Sequence, residues 1–86
     1  MKQRKRLTLK NKAFTLEFMP HQDLTFQCRI SVEGDDVHLI TKRVPSEHDA
    51  KYLAHVTAYK LAGLRGGHES EVDRKYEEEC EQGWIS

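Results

Sequence analysis

The chain has 86 residues, 33% of them charged and 37% hydrophobic, and its fourteen cations balance its fourteen acids. That length holds one domain at most, with a small core, because a chain of this size buries only about 60–65% of its unfolded surface. No apolar run approaches the roughly 18 residues that span a bilayer, no apolar stretch follows the basic start as in a signal peptide, and two cysteines make no disulfide framework, so the expectation is a reduced, cytoplasmic protein without a membrane partner.

The charge is sorted along the chain. Residues 1–12 (MKQRKRLTLKNK) carry Lys2, Arg4, Lys5, Arg6, Lys10 and Lys12 and no acid, whereas residues 68–86 carry seven acids against Arg74 and Lys75. Residues 1–6 read as a flexible basic arm ahead of a single domain over 7–86. Leu7–Lys10 alternates and offers a short extra edge strand. Ala13–Phe18 alternates with Phe14, Leu16 and Phe18 on one side, and residues 20–23 (PHQD) break it as a loop. Residues 24–33 alternate over the longest stretch. Leu24, Phe26, Cys28, Ile30 and Val32 face one way and Thr25, Gln27, Arg29, Ser31 and Glu33 the other, the mark of a half-buried antiparallel strand. Gly34-Asp35 signals a two-residue hairpin that sets Ile30 opposite Leu39 and Val32 opposite Val37. It also sets Glu33 against Asp36, which a longer loop would relieve, so both turns stay open. The preceding hairpin, with Phe18 opposite Leu24 and Phe14 opposite Cys28, keeps the large apolar residues on one side of a three- or four-stranded meander.

That side needs a cover. Ser46 caps a helix with Glu47 and Asp49 in its first turn, and Ala50, Leu53, Ala54, Thr57, Leu61 and Leu64 follow at helical spacing. Small residues at 50, 54, 58 and 62 let the helix lie close, and residues 63–67 (GLRGG) end it. A flank of Tyr52, Val56 and Tyr59 is left over, either as a seat for later residues or as a partner surface. Residues 70–82 read as a second, acidic helix with a narrow stripe of Val72, Tyr76 and Cys80, and Trp84 and Ile85 pin the tail to the body. The fold class is therefore α+β in the order β-β-β-α-α.

The sequence nominates no catalytic residue. No phosphate-cradling glycine loop follows a strand. His21, His38, His48, His55 and His68 are scattered, and His48 and His55 sit two turns apart, about 10 Å, too far for one metal ion. No CxxC or HxxxH occurs, so neither a metal site nor a cofactor is expected. Cys28 reads as a small core residue, and Cys80 follows three glutamates, a setting that disfavours a reactive thiolate.

The basic start carries more. Lys2, Arg4, Lys5, Arg6, Lys10 and Lys12 would bind phosphates by counterion release, with Arg29 and Lys42 adding to them from the polar sheet face. Glu17 and Glu33 interrupt that face, and the same basic run also serves as a solubilising tail. The acids Glu77 and Glu78, with Tyr52, Val56 and Tyr59, define an alternative surface for a protein partner or for self-association. The β-β-β-α order with residues 46–51 (SEHDAK) opening the helix resembles a double-stranded-RNA-binding domain, and also the three-stranded domain by which phage integrases hold arm DNA. The resemblance implies nucleic-acid contact from the helix start, but Glu47 and His48 stand where the RNA-binding family carries its lysine pair, and that family's first helix is missing. The sequence thus supports a small non-enzymatic accessory protein that binds DNA or RNA. The alternative is a protein-interaction or dimerisation module of the kind phages and plasmids carry.

Overall fold

The computed structural model describes residues 3–36, 38–64 and 78–86. Strands β1 (Gln3–Leu9), β2 (Lys12–Pro20), β3 (Phe26–Val32) and β4 (His38–Ile40) form one antiparallel sheet in chain order, and helix α1 (Glu47–Leu61) covers one face. The class is α+β, as the alternation and the helical stripe require.

The flexible arm needs correcting first. Residues 3–6 are the first half of β1, and Gln3 to Leu9 pair with Phe18 to Lys12. Lys5 and Leu7 stand opposite Leu16 and Phe14, on the covered face. Arg4 and Arg6 therefore point to the open face. Lys10 and Asn11, with φ of 46° and 65°, make the left-handed two-residue turn that joins β1 to β2.

The register between β2 and β3 also differs from expectation. Phe14, Leu16 and Phe18 pair with Val32, Ile30 and Cys28, four residues along from the expected partners. An even displacement keeps every side chain on its face, so the core survives the slip. Its cause is the loop at residues 21–25. His21 donates its N–H to Thr25 O and accepts from Leu24 N–H, while Asp23 Oδ1 accepts from both Thr25 N–H and Oγ1. This local closure takes Leu24 out of the strand, at φ 63° and 76% exposed. The next hairpin follows the sequence: Ile30 pairs with Leu39, and Gly34 takes φ 82° in the turn. After β4 the chain bulges. Cys28 N–H donates to Thr41 Oγ1, and Val44 rejoins β3 opposite Phe26.

Helix α1 starts at Ser46, whose hydroxyl accepts from Asp49 N–H. It ends in a Schellman turn: Gly63 N–H donates to Lys60 O and Leu64 N–H to Tyr59 O, with Gly63 at φ 74°. Ala50, Ala54, Ala58 and Ala62 meet Phe14, Leu16, Phe18, Cys28 and Ile30 in the core. The small stripe faces the sheet with Leu53 and Leu64 packed beside it, whereas Leu61 is exposed. On one side of the alanines lie Lys51, His55 and Tyr59, all buried. Burial pushes the Cys28 thiol up to about 12.

Most of the expected second helix falls on residues 65–77, outside the described residues. Glu78 and Glu79 are helical, and Gln82 N–H closes the following turn on Glu79 O. The tail then docks. Trp84 donates Nε1–H to Cys80 O and sets its ring edge-on to Phe18, while Ile85 and Arg4 exchange two backbone hydrogen bonds of 2.8 Å.

Candidate nucleic-acid interface

The expected phosphate-binding residues fall into separate places, because strand parity sorts them. Lys5 lies inside. Its ammonium donates to His55 Nε2 at 2.8 Å and to Glu79 O at 2.7 Å. His55 donates Nδ1–H to Lys51 O one turn back, which leaves Nε2 as the acceptor Lys5 requires and fixes the ring neutral. Burial holds His55 below its ordinary range. Burial also lowers Lys5, partly offset by the charges of Glu79 and Cys80. Lys51 forms a second buried link: it donates to Gln3 Oε1 and Glu47 Oε2, with its ammonium 5.1 and 5.0 Å from the Phe18 and Trp84 ring centres. Both ammoniums are held by groups of the protein itself, and both residues are mostly buried.

The open face of the sheet carries the rest. Arg4, Glu17, Arg29 and Ile40 stand in one row across the four strands, and Arg6, Thr15, Ser31 and His38 in the next. Two strand spacings set the Arg4 and Arg29 backbones roughly 10 Å apart. Arg4 Nε lies 3.4 Å from Glu17 Oε2, and Arg6 Nη2 lies 2.9 Å from Glu33 Oε2. Both arginines are about two-thirds exposed, but Glu17 is only 16% exposed against 48% for Glu33. The exposed Arg6–Glu33 pair contributes at most about 1 kcal/mol, so a phosphate can replace Glu33 at Arg6 at little cost. Arg29 Nε is buried and has no hydrogen-bond partner among the described residues. Arg4, Lys5, Arg6 and Thr15 also line a hollow of about 550 Å³ with Ile85 and Ser86.

The other expected contacts lie away from this face. Lys10 and Lys12 are exposed at the β1–β2 turn, at the same end of the sheet as Glu33 and Asp35. Lys42 is exposed at the opposite end, next to Arg43, which pairs with Asp23 at 3.2 Å. Lys2 lies outside the described residues.

The expected partner surface is similarly divided. Tyr59 is buried and donates its hydroxyl to Glu79 Oε2, so it seats the tail. Tyr52 and Val56 are half-buried, Glu78 is exposed, and Glu77 lies outside the described residues. Sequence reasoning missed the exposed pair Leu39 and Ile40 on β4, and the polar seam of Lys5, Lys51 and His55. The seam had a signal: positions 51, 55 and 59 share one helical flank, and Lys5 continues the Leu7–Leu9 alternation. No family model matches the chain, and no curated protein or solved structure does either. Among the described residues, no helix is long and apolar enough to cross a membrane.

Proposed function

We propose that this chain is a small, non-enzymatic, cytoplasmic accessory protein that binds DNA or RNA through the open face of its sheet. The single observation that carries the reading is the row of Arg4, Glu17 and Arg29, with a buried Arg29 Nε that has no partner among the described residues. A buried donor without a partner costs about 1–3 kcal/mol, so a ligand that orients or satisfies that guanidinium gains by it. Arg6 extends the contact on the same face, the exposed Lys10 and Lys12 add to it from the β1–β2 turn, and Lys2 adds its charge. The non-enzymatic part of the reading rests on where the shifted groups lie: Lys5, Cys28 and His55 face one another or the core instead of a cleft.

The test is a binding titration with labelled duplex DNA and duplex RNA as salt is varied. About four phosphate contacts weaken duplex binding roughly a hundredfold between 50 and 200 mM salt. Arg29→Gln and Arg6→Gln each lower the salt slope by about one. The absence of measurable binding at 50 mM salt, or binding indifferent to salt, overturns the reading.

One observation favours the alternative of a protein-interaction or dimerisation module. Leu39 and Ile40 are 42% and 48% exposed on a three-residue strand that pairs only with β3 among the described residues. Edges of this kind accept further strands. Dimer formation that Ile40→Lys abolishes would support this reading, and a monomer at high concentration would count against it.

A further inference from the structure

We infer that His48, Cys80 and Glu81 form a site for a zinc ion that fastens the tail to the start of α1. His48 lies in the first turn of α1, and Cys80 and Glu81 lie in the turn that follows residues 78 and 79. Their ligand atoms fall within 4.8 Å of one another. His48 Nδ1 is 3.6 Å from Cys80 Sγ and 2.9 Å from Glu81 Oε1. Tetrahedral zinc, with Zn–S of about 2.3 Å and Zn–N of about 2.0–2.1 Å, sets sulfur and nitrogen about 3.6 Å apart. The His–Cys edge already has that length. The His–Glu edge must open by a few tenths of an ångström, which the roughly half-exposed Glu81 side chain accommodates.

The geometry also separates a metal site from a catalytic triad. A triad needs the nucleophile on one imidazole nitrogen and the carboxylate on the other. Here sulfur and carboxylate both approach Nδ1, so the three groups converge on one point, as ligands do. The donor set of thiolate, imidazole and carboxylate suits zinc. Zinc binding releases the Cys80 thiol proton to solvent and leaves the His48 proton on Nε2. Thiolate and carboxylate then balance the two charges of the ion. Cys80 is fully buried, whereas the His48 side chain is 39% exposed, so the ion enters from solvent and keeps a water in its fourth position. Lys51, 3.9 Å from Glu81 Oε2, competes weakly for that carboxylate and holds Glu47 at 2.9 Å instead.

The test uses the full chain in its reduced form, with Co²⁺ as the spectroscopic probe and Zn²⁺ as competitor. The expected result is one Co²⁺ per chain, with tetrahedral d–d bands and a thiolate-to-cobalt charge-transfer band that zinc displaces. A hundredfold excess of free zinc over its Kd should raise Tm by about 10–20 °C. His48→Ala and Cys80→Ser should remove the charge-transfer band. Glu81→Gln should weaken binding by more than the roughly 10–100-fold that losing an outer-shell partner costs. His48→Ala, at a part-exposed position, is the deciding variant if Cys80→Ser fails to fold, and its circular dichroism confirms the fold. The absence of a charge-transfer band in the wild type, or a band that persists in folded His48→Ala, overturns the inference.

Discussion

Replacing Lys5 with methionine separates a structural cation from a phosphate-binding one. Lys5 is 8% exposed and its ammonium serves two acceptors, His55 Nε2 and Glu79 O. Methionine keeps most of the stem volume, including the methylenes that pass below Gly83. It leaves both acceptors unpaired, at about 1–3 kcal/mol each. Relief from holding a charge away from water offsets part of this, so the net loss is about 2 kcal/mol. A domain of this size has roughly 4–13 kcal/mol in total. The loss should lower Tm by about 10 °C, or the urea midpoint by about 1–2 M at a slope of 1–2 kcal/mol per molar. Equilibrium urea unfolding followed by circular dichroism measures it. The salt slope of nucleic-acid binding should stay unchanged in the same variant, because the Lys5 ammonium is committed to His55 and Glu79. Arg29→Gln should do the reverse. A stability change within 0.5 kcal/mol, the usual range for surface sites, or a salt slope reduced by one, would refute the assignment.

His55 sets a pH dependence. Its folded-state value is depressed by burial, so the unfolded chain takes up the proton first as pH falls through about 6.5. The stability it contributes is complete above that value and declines below it, by at most about 1.4 kcal/mol per pH unit. NMR titration of the His55 ring should give a midpoint below the free value, and the stability gap between wild type and His55→Phe should narrow from pH 7.5 to pH 5.5; a gap that widens contradicts the sign. Gly63→Ala tests the helix end. An added Cβ meets nothing within 4 Å, so the cost is only that of holding alanine at φ 74°, about 1–2 kcal/mol. Calorimetry should show Tm lower by about 4–15 °C, and an unchanged Tm would mean that the Schellman turn contributes no stability.

The faces of the sheet were legible because parity is a local property. Phe14, Leu16 and Phe18, and Cys28 and Ile30, announce their side whatever their partners. The pairing of β2 with β3 was not legible. It depends on how residues 21–25 close, and Leu24 in a left-handed turn looks like a strand residue in an alternating run. Lys5 was read as part of a solvated arm, and the burial of Lys51 was not foreseen, because a buried ammonium becomes favourable only when acceptors from distant segments meet it. Gln3, Glu79 and His55 supply them across separations that no local window spans. The same holds for His48 and Cys80, which are 32 residues apart in sequence. The alanine stripe was legible as the face that approaches the sheet, whereas Leu61, counted in the same stripe, is exposed.

The exchange of hydrogen bonds between Arg4 and Ile85 has a consequence for how the chain folds as it leaves the ribosome. The β2–β3 hairpin and α1 can assemble once residue 64 has emerged. The partners of β1's outer edge, and of the Lys5 ammonium at Glu79, emerge after that. Until then the Lys5 ammonium has only the Nε2 of His55, whose other nitrogen is held by Lys51 O. Closing a loop of this length costs more than closing a hairpin, though the cost grows only logarithmically with length. Residues 79–85 therefore dock after the hairpin and α1, and in hydrogen exchange their amides should be among the first to open.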